Sequence, residues 1–146
     1  MKFVKLALAV ACAVQLVGCA SVNMADTQQD AAAKQFKVAA DQAGIYIYRN
    51  ESMGAAVKMD VSINGQEVGQ TVANSYIFKA VPPGKTVISS KAENTETLEI
   101  DAKPGALYYI WQEVKMGVLY ARNKLHQVTE AEGRKGVNET KLIATK

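Results

Sequence analysis

The sequence predicts an all-β domain, an antiparallel β-sandwich of about seven or eight strands with a short C-terminal helix, preceded by a signal peptide and a tether. Three observations point there. Val57, Met59, Val61 and Ile63 alternate with Lys58, Asp60, Ser62 and Asn64, the period of a strand with one face buried. Turn signals recur at intervals of roughly eight to twelve residues after Gly44. Leu107 to Val114 is apolar on both alternating faces, as suits a central strand covered on both sides.

Residues 1–18 read as the signal peptide. Lys2 and Lys5 give a basic start, Leu6 to Val17 an apolar stretch too short to span a bilayer as a lasting helix, and Gly18 a small residue before the cut. Leu16-Val17-Gly18-Cys19 resembles the bacterial lipobox, in which the Cys sulfur receives a diacylglyceryl group, the chain is cut before that Cys, and the new amine is usually acylated. On this reading Cys19 is the lipid attachment and cleavage falls between Gly18 and Cys19. The competing reading, Cys19 as a small buried side chain, needs an amphipathic helix, whereas this run is apolar all round. At about 0.8 kcal/mol per buried CH₂, one acyl chain holds marginally, while two or three anchor the chain without its crossing the membrane.

Residues 19–42 read as the lipidated Cys and a spacer, with little beyond Phe36 and Val38 to bury. Asp30 to Ala40 has helix-favouring composition, but an isolated helix of this length is marginal in water. Its expected use is distance from the membrane; the alternative is a segment that folds onto a partner.

Residues 43–146 read as the sandwich, about 105 residues, enough for one ordinary core. Ile45 and Ile47 alternate with Tyr46 and Tyr48. The run from Val57 ends at Asn64-Gly65, whose tolerance of positive φ at both positions marks a type I′ hairpin, and Gln66 to Thr71 returns. Tyr76 to Val81 stops at Pro82-Pro83-Gly84, where fixed φ angles and missing donors forbid continuation. Thr86 to Lys91 and Thr95 to Asp101 follow, joined around Asn94. Beyond Pro104-Gly105, Leu107, Tyr109 and Trp111 share one strand face, with Tyr108, Ile110 and Gln112 on the other. Gly117 turns the chain into a last strand, Val118 to Val128. Thr129 and Glu132 read as a capping box opening the helix, which Gly133 and Gly136 interrupt. On propensity alone, Gly133→Ala would be neutral or stabilising.

Loss of Lys2 and Lys5 takes 17 basic residues to 15 against 14 acidic ones, so the mature chain lacks the basic excess of a nucleic-acid partner. Cys12 leaves with the signal peptide and Cys19 is consumed by lipid, so no disulfide is expected. With a single histidine, the ligands that zinc and copper prefer are missing; neither a metal nor a cofactor is expected.

His126 is the residue any Ser-His-acid arrangement would use, but no G-x-S-x-G elbow accompanies it. Asp60, Glu99, Asp101 and Glu113 could pair as glycosidase carboxylates, yet all but Glu113 sit on polar strand faces where charges are usually solvated. No catalytic residue is expected. Aromatic pairs offer more: Tyr109 with Trp111 reads as core, while Tyr46 and Tyr48, opposite an already apolar face, and Tyr108 are the expected binding surface.

In order, Arg49 after Ile45-Tyr46-Ile47-Tyr48, the Asn64-Gly65 turn, Pro82-Pro83-Gly84-Lys85, Tyr108-Tyr109 and Glu130-Ala131-Glu132-Gly133 resemble the bacterial lipoprotein family called domain of unknown function 2846. The resemblance spans Gly44 to Ile143. It implies a prealbumin-like or immunoglobulin-like sandwich in the Gram-negative envelope and carries over no catalytic residue. Ala20 and Ser21, with no Asp after Cys19, imply by resemblance to such lipoproteins the periplasmic leaflet of the outer membrane. The expected function is an acylated lipoprotein, held to the membrane by its acyl chains, whose non-catalytic sandwich binds another envelope protein. A module for peptidoglycan or lipopolysaccharide sugar is the alternative, and an enzyme the third.

Overall fold

A computed structural model describes residues 21–145; the signal peptide 1–18, the lipobox and Cys19 lie outside the described residues. In chain order the elements are α1 (Thr27–Ala33), β1 (Ala43–Arg49), β2 (Met59–Ile63), β3 (Gln66–Thr71), β4 (Ser75–Val81), β5 (Gly84–Lys91), β6 (Thr95–Ala102), β7 (Leu107–Met116), β8 (Ala121–Val128), α2 (Glu130–Asn138) and the short β9 (Lys141–Leu142). They build a β-sandwich. One sheet has the order β8-β7-β1-β4-β9 and the other β3-β2-β5-β6. Most pairings are antiparallel, as the sequence predicts. β1 with β7 and β4 with β9 are parallel, because the chain travels through other elements before returning beside them.

Register follows the hydrophobic pattern. Met59, Val61 and Ile63 are buried while Lys58 and Asp60 are exposed, since a slip of one residue would reverse every side chain. Asn64 and Gly65 have φ of 50° and 79°, the positive angles the hairpin requires. Ile47, Val61, Ile77, Ile88 and Ile110 meet between the sheets.

β1 is buried along its whole length. Ile45 and Ile47 enter the core between the sheets, whereas Tyr46 and Tyr48 join a second apolar cluster with Tyr76, Tyr109 and Val137 on the outer face. Two elements cover that face. The first is α2, capped by Thr129, whose hydroxyl accepts the Glu132 N–H at 3.3 Å. Gly133 and Gly136 set α2 so close that a β-carbon at either would overlap the ring of Tyr109 or Tyr48. Packing therefore overturns the propensity expectation for Gly133→Ala: the glycines permit this helix to dock.

The second cover is the segment read as a spacer. Met24 bridges Ile143, the Ala25 N–H donates to Leu142 O at 3.0 Å, and the Ala144 N–H donates to Asn23 O at 2.9 Å. Asp26 then opens α1 with a full capping box: its carboxylate accepts the Gln29 N–H at 2.7 Å, and the Gln29 side chain accepts the Asp26 N–H at 3.3 Å. A helix of seven residues does not hold alone in water. Tertiary bonds hold this one. The Tyr46 hydroxyl donates to Ala33 O at 2.7 Å, and the Asp30 carboxylate accepts the Leu142 N–H at 3.0 Å and the Tyr76 hydroxyl at 2.9 Å. The packed unit thus begins near Val22, which lies against the core, and not at residue 43.

Candidate functional site

The structure withdraws Tyr46 and Tyr48 as an open binding surface: they are 0% and 3% exposed. Alternation within β1 identified their face but carried no information about α1 and α2, which cover it. Tyr108 is half-buried on the other side of the sheet, against the inter-sheet core. Its hydroxyl accepts the Lys103 N–H at 2.9 Å and donates to Asp101 O at 3.0 Å, fastening the connection between β6 and β7. The three tyrosines do not form one surface.

The candidate acid–base groups are also separately engaged. His126 Nε2 and Glu113 Oε2 lie 2.7 Å apart on neighbouring β8 and β7, with the Trp111 ring stacked on the imidazole at 5.1 Å. The bond to His126 leads in lowering the Glu113 pKa below its ordinary value. Asp60 accepts from Gln70, Glu99 faces Lys85 and Asp101 faces Lys103.

The feature that sequence reading missed lies at the end of the sandwich where β7 turns into β8. Met116, Val118, Leu119 and Tyr120 are 85%, 90%, 85% and 53% exposed. Large apolar side chains are rarely left so open together without a use. The loop is nonetheless ordered. Glu93 accepts the N–H groups of Val118 at 3.2 Å, Leu119 at 2.9 Å and Tyr120 at 3.0 Å. A β-carbon at Gly117 would collide with that carboxylate. Because Glu93 takes these donors, residues 118–120 do not enter the ladder and β8 starts at Ala121 instead of Val118. The three bonds, led by Leu119, lower the Glu93 pKa.

A second loop, residues 50–58, rises at the same end. Buried Arg49 organises it by donating to Val57 O at 2.8 Å, Gly54 O at 2.6 Å and Met53 O at 3.3 Å. Burial lowers the Arg49 pKa, and the charge of nearby Glu51 opposes that shift. The Glu51 carboxylate in turn accepts the N–H of Val114. Gly54 lies against Val114 and Ala121, so both loops share one base, and Met53 adds a further half-open apolar side chain. Met116-Gly117-Val118-Leu119-Tyr120 between Lys115 and Arg122 was the available sequence signal, since turns with no partner are normally polar.

One hollow, of about 200 Å³, opens beside Trp111 and is lined by Tyr48, Asn50, Glu132, Lys135 and Glu139. The shielded Trp111 indole N–H has no partner among the described residues. Burial, then Glu132, Glu139 and Glu51, push the Tyr48 hydroxyl up to about 12, so it keeps its proton.

Residues 39–123 match the family described as "Protein of unknown function (DUF2846)". The chain belongs to this family. Both loops of the apolar end fall within the DUF2846 match, whereas α1, α2 and β9 lie outside it. A protein of Haemophilus influenzae described as "Uncharacterized protein" is 32% identical over 135 residues, covering 91% of this chain and 80% of that relative. No solved structure matches.

Proposed function

We propose that this DUF2846 protein is an acylated lipoprotein of the bacterial envelope, anchored through Cys19 in the periplasmic leaflet of the outer membrane, whose sandwich is a non-catalytic module that binds another envelope protein through its apolar loop end. The observation that carries the reading is the ordered, exposed group Met116, Val118, Leu119 and Tyr120. A convex knob of this kind is shaped to enter an apolar pocket, where a few desolvated anchors supply most of the binding energy. The Glu93 cap favours the same reading: the three amides are already bonded, so docking orders little and strips no free donor of water.

The test is site-specific photo-crosslinking in intact cells from positions 118 and 119, with exposed Glu99 on β6 as control. The expected result is a defined protein adduct from both loop positions, with Leu119→Ser abolishing the adduct from position 118 while the protein still accumulates in the membrane fraction. Adducts of equal yield from position 99 would overturn the assignment.

The hollow beside Trp111 supports the sugar alternative. An aromatic ring, an indole donor with no partner among the described residues and the polar groups of Asn50, Glu132 and Glu139 could receive one sugar ring. Trp111→Ala would then abolish retention on peptidoglycan or lipopolysaccharide while Leu119→Ser leaves it unchanged.

A further inference from the structure

The way residues 22–25 leave the sandwich limits where the partner of the loop end can be. Two residues, Ala20 and Ser21, separate Cys19 from Val22, which already packs against the core. Fully extended, that leash reaches about 10 Å, whereas residues 20–42 as a free spacer would reach about 80 Å. The difference is absorbed by the docked strand and α1. Asn23, Met24 and Ala25 pair with the chain around β9, and Asp30 joins α1 to Leu142 and Tyr76.

The same pairing fixes the place of the anchor relative to the loop end. Residues 23–25 run antiparallel to β9, and β9 runs parallel to β4, so the chain before Asn23 leaves toward the end of the sheet holding Ala43 and Val81. The loop 117–120 lies at the other end, beyond Arg49 and Ser75, and at the opposite edge, since β8 and β9 are the two edge strands. Five strand spacings across and about eight residues along place the knob some 35 Å from Val22. Adding the leash, the knob cannot stand more than about 50 Å from the bilayer.

We infer that residues 22–36 are a clamp that seats the sandwich beside its own lipid anchor, and that the occupant of the Met116–Tyr120 knob is a protein resident in or on the same bilayer, presenting an apolar socket. This rests on acylation of Cys19, as proposed above. A partner fixed farther than about 50 Å from the bilayer lies beyond the reach of the knob, whereas one held in or on that bilayer lies within it.

The experiment uses full-length protein purified from membranes, with acylation of Cys19 verified by intact mass, and returned to vesicles of phosphatidylethanolamine and phosphatidylglycerol. Cysteine occurs only at positions 12 and 19, so Val118→Cys gives one free thiol for a donor dye, read by energy transfer to acceptor headgroups. Transfer should be strong, and about twenty Gly/Ser residues inserted after Ser21 should reduce it about two-fold. In the parent protein the amides of Ala25 and Ala144 should exchange at least roughly 100-fold more slowly than an unstructured chain. The partner in the position 119 adduct should fractionate with membranes in cells that lack this protein as well as in those that hold it.

Unprotected Ala25 and Ala144, or transfer that the insertion leaves unchanged, would overturn the clamp. Quenching of the donor by nitroxide on the lipid chains would show the knob entering the bilayer, and an adduct with a soluble protein or a second copy would name another occupant; either overturns the partner half. An unacylated mass overturns the lipoprotein reading and the bilayer placement together, while the amide protection still reports the clamp on its own.

Discussion

Gly136 presses its backbone against the Tyr48 ring so closely that a β-carbon there would overlap Cε2. Gly133 meets Tyr109 in the same way, one helical turn earlier. Gly136→Ala should therefore destabilise the domain by about 1–3 kcal/mol, because overpacking exceeds the gain of up to about 1 kcal/mol from replacing a helical glycine. Gly133→Ala should do likewise. A rise in denaturant midpoint for either variant would show that α2 shifts freely on the sheet.

These two glycines also show where sequence reading stops. Alternation located eight strands and the turn residues divided them, because period and φ preference are local properties of Met59 to Gly65 and its counterparts. What lies across a face is not local. Tyr46 and Tyr48 looked available because the covers come from residues 23–36 and 130–138, far away in the chain. A local signal for the first cover was present in Asp26-x-x-Gln29, a capping box placed before a weak helix, but only the bonds of Asp30 and Tyr46 explain why that helix persists. Val118 to Tyr120 reads as the start of the last strand in sequence because the carboxylate that holds these residues out of the ladder, Glu93, lies more than twenty residues earlier, in the β5–β6 turn.

The Glu93 cap makes the order of the loop depend on pH. Its bonds to Leu119, Tyr120 and Val118 lower the folded pKa below the ordinary 4.5, so the cap is fully present above that value and is lost as pH falls through the lower folded value. Amide protection at Val118, Leu119 and Tyr120 should hold at neutral pH and fall as the solution is taken below about pH 4.5, ahead of global unfolding. Glu93→Gln should show low protection at every pH. Protection that persists in Glu93→Gln would mean the loop is held by something else.

Arg49 tests the other loop. Its guanidinium donates to three carbonyls and is fully buried, so Arg49→Ala leaves Val57, Gly54 and Met53 acceptors without that donor and opens a cavity. The cost should be about 3 kcal/mol or more in chemical denaturation. Arg49→Lys should recover only part of it, since one ammonium cannot reproduce a planar fork spread over three acceptors. Full recovery by Lys would show that charge alone matters and that the fork geometry does not.

Asp30 decides whether the N-terminal segment belongs to the fold or merely lies on it. Its carboxylate accepts from Leu142, Tyr76 and Lys34, and although burial pushes its pKa up, the bonds to Lys34, Leu142 and Tyr76 together bring it below the ordinary 3.8. Stability from this node is therefore present above the ordinary aspartate value and is lost on acidification through the lower folded value. Asp30→Ala should remove all three bonds at once and leave the hydroxyl of buried Tyr76 without its best acceptor, at a cost of about 1–3 kcal/mol. A chain beginning at Ala43 should be worse still. It loses α1 and Phe36 and so bares the Tyr46 ring, and it removes Asn23 and Ala25, the partners of Ala144 and Leu142. Thermal melting of the soluble domain with and without residues 21–42 measures this directly: a lower midpoint for the shorter chain, with Asp30→Ala in between, is the expected order. Equal midpoints for all three would return residues 21–42 to the role of a spacer and remove the short leash on which the membrane-proximal partner depends.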